Sequence, residues 1–98
     1  MSYTLINPWT DTEIKVELQL TQYANNKRPA LQLWCEDGPY ATLSVNLPKE
    51  KCGSNQFYVD TNNCPWAQQF LLDNGIAEPT GEISFSGWCA YPLWQLTV

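Results

Sequence analysis

The chain has 98 residues, of which 44% are hydrophobic, and a formal charge of −5 from five basic and ten acidic side chains. This length suits one hydrophobic core and the composition excludes intrinsic disorder, so we expect a single domain over residues 1–98. The negative charge repels phosphate backbones and anionic lipids, which disfavours direct binding to nucleic acid or to a membrane. It would suit the basic cleft of a nucleic-acid-handling protein, although the same charge also keeps ordinary small proteins soluble.

The N-terminal residues, Met1 to Pro8, lack the basic segment and the apolar run of a signal peptide. No stretch is apolar over the length that a transmembrane helix needs. We therefore expect a cytoplasmic protein whose four cysteines are reduced. These cysteines are more than ten positions apart, which disfavours a four-thiolate zinc site, and we predict no metal; they are Cys35, Cys52, Cys64 and Cys89.

Three stretches in the first half alternate apolar and polar residues, which is typical of strands with one wet face. They span residues 13–21, 31–35 and 40–47. Polar turn sequences at 25–29 and 37–39 separate them, and Pro48 follows the third. The pattern predicts an antiparallel meander.

In the second half of the sequence, the spacing of the apolar residues changes. Phe57 and Val59 indicate a short fourth strand, and a helix follows near residues 64–74. Pro65 suits the first helical position, and Gly75 suits the left-handed position after the helix. Side chains able to cap the helix stand ahead of it, giving a predicted helix-capping motif of Asp60, Thr61, Asn62, Asn63, Cys64 and Pro65.

The last quarter predicts a turn at 79–81, a strand around Ile83 and Phe85, and a final strand at 93–96. Pro92 places part of that last stretch at an edge or a bulge. The predicted fold is α+β: a single antiparallel sheet of about five to seven strands with one short helix.

Little in the sequence points to catalysis. The chain has no histidine, and its glycines form no phosphate-binding array, so we predict no cofactor and no enzymatic activity. One alternative is a thiol enzyme or redox sensor, in which the helix N-terminus lowers the pKa of Cys64. A structural role for Cys64 explains the same residues without requiring a base, and we favour it.

Aromatic residues give the better indication of function. Alternation places Trp34 on the polar face of its strand, and aromatic side chains of this kind anchor protein interfaces. An alternative is that they form a second small core on the other face of the sheet. The predicted binding residues are Trp34, Tyr40, Trp88 and Trp94.

Five stretches together carry a resemblance to a known family: Asn7-Pro8 and the segments 41–48, 60–65, 75–81 and 86–93. They resemble the family of domain of unknown function 4313, which occurs on conjugative elements and phages of gut bacteria. The resemblance brings no catalytic residue or cofactor. It implies an accessory protein of a mobile element that works in the bacterial cytoplasm.

Three hypotheses follow. The first is a non-enzymatic module that binds another protein through an aromatic-rich face with an acidic rim, one form of which is an inhibitor of a host defence or nucleic-acid-handling protein. The second is the thiol enzyme or redox sensor centred on Cys64. The third is a homodimeric structural module that associates through an exposed sheet edge.

Overall fold

The computed structural model describes residues 2–6, 10–47 and 49–98. The Asn7-Pro8 motif and the predicted strand end at Pro48 lie outside these residues. The described chain forms eight strands and one helix: β1 (Ser2–Ile6), β2 (Glu13–Gln22), β3 (Pro29–Cys35), β4 (Gly38–Thr42), β5 (Ser44–Val45), β6 (Gln56–Val59), α1 (Ala67–Asp73), β7 (Ala77–Ser86) and β8 (Cys89–Leu96).

The strands form two antiparallel sheets of four. Sheet A has the order β1-β2-β3-β4, and sheet B has the order β5-β6-β8-β7. Strands β2 and β3 confirm the alternation at 13–21 and 31–35. The edge strand β1 was not predicted, because its five residues carry too short a pattern. The prediction of one sheet with five to seven strands is wrong, while the α+β class and the single short helix agree with the structure.

The two sheets are joined at Leu43. The predicted strand at 40–47 divides there, so that β4 belongs to sheet A and β5 to sheet B. The Leu43 N–H donates to the Leu31 carbonyl at 2.9 Å, and the Leu43 carbonyl accepts from the Asp60 N–H at 2.8 Å. Both backbone groups of Leu43 are thus hydrogen-bonded, the N–H to β3 of sheet A and the carbonyl to the residue that follows β6 of sheet B.

The main core combines apolar side chains of both sheets and of α1. Its fully buried residues include Leu31, Leu33, Leu43, Val59, Leu71 and Ile76. A second, smaller cluster of Leu47, Tyr58 and Leu93 lies on the other face of sheet B, because Tyr58 and Leu93 alternate with the core residues Phe57 and Trp94. Part of the aromatic surplus therefore fills a second small core, as the alternative interpretation held.

The helix is shorter than predicted. It begins at Ala67, and the residue at its N-cap, Trp66, makes no side-chain capping bond. The Asp60 carboxylate instead accepts from the Asn63 backbone N–H at 3.2 Å and from its Nδ2 at 2.9 Å. The Asp60 side chain of the predicted helix-capping motif thus caps the turn at 61–63, because the N-cap of α1 lies six residues further on, at Trp66.

The C-terminus of α1 follows the prediction. Gly75 has φ +63°, its N–H donates to the Leu72 carbonyl, and the Ile76 N–H donates to the Leu71 carbonyl. This pair of bonds is the Schellman motif, in which only glycine takes the left-handed position without strain. Ile76 is then buried in the core.

The predicted turn at 79–81 is a bulge inside one long strand. Pro79 lies opposite Trp94 and Ile83 lies opposite Pro92. The three residues 80–82 of β7 therefore lie opposite a single residue of β8, Leu93. The Thr80 hydroxyl donates to the Leu93 carbonyl at 2.8 Å, which replaces a ladder bond that the bulge removes. The prediction failed because Pro79 and Gly81 suit a bulge as well as a turn.

Candidate functional site

The distal end of the β7–β8 hairpin extends beyond the rest of sheet B. Strand β6 pairs with β8 only at Leu93–Gln95, with Leu93 opposite Tyr58. Residues 89–92 of β8 therefore pair with β7 alone. We call residues 83–92 the hairpin tip.

The turn of the hairpin has two residues, Gly87 and Trp88, between the paired residues Ser86 and Cys89. Gly87 has φ +61°, whereas Trp88 has no positive φ. Positive φ at the first turn position alone is typical of a type II′ turn, which matches the twist of the two strands. The turn thus holds the Trp88 side chain at the end of the hairpin.

One face of the hairpin tip is apolar and uncovered. Ile83 is 59% exposed, Phe85 is 72% exposed and Trp88 is fully exposed. Ile83 lies opposite Pro92 and Phe85 opposite Ala90, and alternation along β8 puts Ala90 and Pro92 on the same face as the core residue Trp94. The core-facing side of sheet B therefore continues past the end of the core, where Ile83 and Phe85 are exposed.

The opposite face of the tip is polar and supported. The Ser84 hydroxyl lies 3.2 Å from the Tyr58 hydroxyl and 3.4 Å from a Glu50 carboxylate oxygen. Tyr91 packs against the second small cluster. The Ile83 and Phe85 side of the tip is thus the apolar side.

Sequence reasoning selected Trp88 but not Ile83 or Phe85. The residues from 82 to 86 alternate polar and apolar, which places Ile83 and Phe85 on one face but does not show whether that face is covered. The missing information was the length of β6, which ends before it reaches the tip.

The other predicted binding residues do not join Trp88. Trp34 is 37% exposed and lies on sheet A, between Glu17 and Pro39 on the neighbouring strands. Tyr40, also on sheet A, packs against Trp66, with 6.1 Å between the ring centroids. Trp34 agrees with the exposure that alternation predicted, but it belongs to a different surface.

The prediction for Trp94 is wrong. It was predicted as a binding residue, yet it is 1% exposed and packs in the main core. Its indole N–H donates to the Gln68 side-chain oxygen at 3.1 Å, which satisfies the polar end of a buried ring. A residue so enclosed by both α1 and sheet B stabilises the fold instead of contacting a partner.

A cleft of about 360 Å³ lies beside Cys64 and is lined by Tyr40, Ala41, Thr42, Asp60, Asn63, Cys64 and Trp66. The Cys64 thiol is buried and donates to the Thr42 carbonyl at 3.6 Å. Burial, and then the charge of Asp60, raise the pKa of this thiol above its usual range. The thiol hypothesis needs a lowered pKa, so the geometry of Cys64 opposes it.

Charge is distributed unevenly along the chain. Lys51 is the last basic residue, and residues 52–98 contain only the acidic side chains Asp60, Asp73, Glu78 and Glu82. Lys49 and Lys51 share a surface cleft beside Ser84 with Glu50 and Glu82, so the charges in that cleft balance. The net charge of −5 therefore comes from carboxylates outside that cleft.

Within the described part of the chain, no three side chains of the metal-ligating types come together in a way that could hold an ion. The described helix is also too short and too polar to cross a membrane.

Comparison with known proteins places the chain in a family. No curated protein and no solved structure matches it. Residues 17–98, which include the hairpin tip and all strands except β1 and the start of β2, match a family described as "Domain of unknown function (DUF4313)". The match covers most of the chain, and the protein therefore belongs to the DUF4313 family.

Proposed function

We propose that this protein is a non-enzymatic module that binds another protein through the hairpin tip. The observation that supports the proposal is the exposure of three large apolar side chains at the tip, Ile83 and Phe85 on one face of β7 and Trp88 in the turn. Exposed apolar side chains that lie close together and include a tryptophan are typical of interface centres.

The rigidity of the tip favours binding. The type II′ turn, the pairing of four successive residues on each strand and the Ser84 contacts fix the backbone from which the three apolar side chains project. A preorganised surface loses less conformational entropy on association than a flexible one. Trp88 and Phe85 are therefore the residues that we expect to carry most of the binding free energy.

The charge of the protein favours a basic partner. Its net charge of −5 suits a protein that presents an apolar pocket surrounded by lysines and arginines. Basic clefts of that kind occur in nucleic-acid-handling proteins, and a cytoplasmic accessory protein of a mobile element would have such proteins of its host as targets. Inhibition of one of them is the form of the function that we propose.

The test is affinity capture from lysate of the bacterium that encodes the protein, with the tagged protein and two single variants, Phe85→Ala and Trp88→Ala. We expect one stoichiometric partner that dissociates at high salt, because screening weakens charge complementarity. Each variant should weaken its binding by about 30-fold or more, as for the central residue of an interface.

Trp34→Ala is the matched control, since it removes another exposed tryptophan from the other sheet. It should capture the partner as well as the unaltered protein does. The proposal would be contradicted if Phe85→Ala and Trp88→Ala captured the partner as well as the unaltered protein does. Loss of the partner only in Trp34→Ala would contradict it too.

A further inference from the structure

Strand β7 is an outer strand of sheet B, and its free edge reaches into the hairpin tip. The two-residue turn makes Ser86 and Cys89 a hydrogen-bonded pair, so Ser84 and Tyr91 form the next one. Ile83 and Phe85 occupy the alternate positions. Their N–H and C=O groups consequently point away from β8, along the open edge.

This part of the edge lacks the usual protection. Natural edge strands are guarded by charges, prolines or bulges that discourage another strand from pairing. In β7 these features, namely Glu78, Pro79 and the bulge, all lie before residue 83. The four residues 83–86 carry no charge and no proline, and their exposed apolar side chains lie beside the open backbone groups.

We propose that β7 binds an extended segment of the partner as an added strand along residues 83–86. The added segment places apolar side chains on the side of Ile83 and Phe85, and its N–H and C=O groups pair with those two residues. This inference rests on the proposed function and specifies how the partner is held.

Charge indicates which segment fits. The protein carries a net charge of −5, and Glu78 lies on the same strand as the open edge, so basic residues flanking the apolar part of the segment would be attracted to it. A second copy of this chain is disfavoured, because two molecules that each carry a net charge of −5 repel one another.

A capped synthetic peptide, Lys-Lys-Val-Thr-Val-Thr-Val-Lys-Lys, is the probe. It carries basic residues at both ends because the added strand can run in either direction. The measurement is amide hydrogen exchange by NMR on the unaltered protein, so it depends on no variant. In the free protein the Ile83 and Phe85 amides should exchange quickly, and with nine-tenths of the protein occupied they should exchange about tenfold more slowly.

Two variants separate backbone pairing from side-chain contact. Phe85→Ala removes the ring but keeps the outward N–H, whereas Phe85→Pro removes both. Because Phe85 makes no ladder bond to β8, the proline is compatible with the hairpin. We expect Phe85→Pro to bind the peptide about fivefold more weakly than Phe85→Ala, the effect of one hydrogen bond.

Unchanged exchange of the Ile83 and Phe85 amides at saturation would overturn strand addition. So would equal binding of a control peptide with glutamates in place of the lysines. If those amides were protected without peptide and sedimentation showed a dimer, the edge would belong to a second copy and the proposal would be wrong.

Different outcomes would contradict strand addition and the proposed function. If Phe85→Ala releases the captured partner and Phe85→Pro has no greater effect, the tip binds through side chains alone and only strand addition is wrong. If Phe85→Ala and Trp88→Ala both retain the partner, the tip is not the binding surface at all.

Discussion

The base and the tip of the β7–β8 hairpin have the same alternation but opposite environments. At the base, Trp94 faces α1 and sheet A and is 1% exposed; at the tip, Trp88 is fully exposed. Along β8, Pro92 and Ala90 continue the face of Trp94 into solvent. The difference arises from neighbouring elements, since β6 and α1 cover the base and end before the tip.

The comparison separates two kinds of apolar residue. Side chains at the base are buried against partners within the chain, so their burial stabilises the fold. Those at the tip remain in water in the free protein, so any gain from burying them is realised on binding. Substitutions at the base should therefore lower the stability of the fold, whereas substitutions at the tip should weaken binding and leave stability nearly unchanged.

The largest expected effect is that of Trp94→Ala. Removing a buried indole leaves a cavity and an unpaired Gln68, and we expect the free energy of unfolding to fall by about 3–5 kcal/mol. The measurement is urea unfolding followed by circular dichroism. Trp88→Ala is the control and should change stability by less than about 0.5 kcal/mol. Similar losses in both variants would show that the tip is packed in solution.

A smaller effect is expected for Gly87→Ala. An added Cβ at Gly87 would contact nothing within 4 Å, so the cost comes from the φ of +61° alone. We expect a loss of about 1–2 kcal/mol by urea unfolding, with NMR shift changes confined to the tip. Ser86→Ala, one position earlier in ordinary strand geometry, should show neither change. A stability unaffected by Gly87→Ala would mean that the turn is not fixed.

The smallest effect concerns the pH dependence of stability. Burial raises the pKa of Cys64 above its ordinary value in the folded protein. As pH rises through the lower pKa of the unfolded thiol, that thiol ionises first, which favours unfolding, so the contribution of Cys64 to stability is lost as pH passes through its folded pKa.

We therefore expect the free energy of unfolding to fall with alkaline pH, and to fall less steeply in Cys64→Ala. Cys52, whose pKa is also raised by burial, should account for a further part of the slope in a double variant with Cys52→Ala. A slope identical in the unaltered protein and both variants would contradict the burial of these thiols.

Local patterns predicted local structure well. Alternation located β2 and β3, and Gly75 followed by Ile76 located the end of the helix, because each depends on a few adjacent residues. The start of the helix was misplaced by two residues, because Pro65 and Trp66 form a turn ahead of α1 instead of its first residues.

Features set by distant residues could not be predicted in the same way. The residues from 40 to 47 alternate without a break. Nothing in this pattern shows that the Leu43 N–H bonds to Leu31 in sheet A while its carbonyl bonds to Asp60, which follows β6 of sheet B. The burial of Trp94 and the exposure of Ile83 and Phe85 likewise depend on where β6 and α1 end. For the candidate site, the sequence thus identified Trp88 but not the face to which it belongs.

The crossing at Leu43 has a consequence for how the protein unfolds. Its N–H is bonded on one side and its carbonyl on the other, and its side chain is fully buried between the sheets. Neither sheet can separate without breaking one of these bonds and exposing the leucine to water. The two sheets should consequently melt in a single cooperative transition, with the Leu43 amide among the last to exchange.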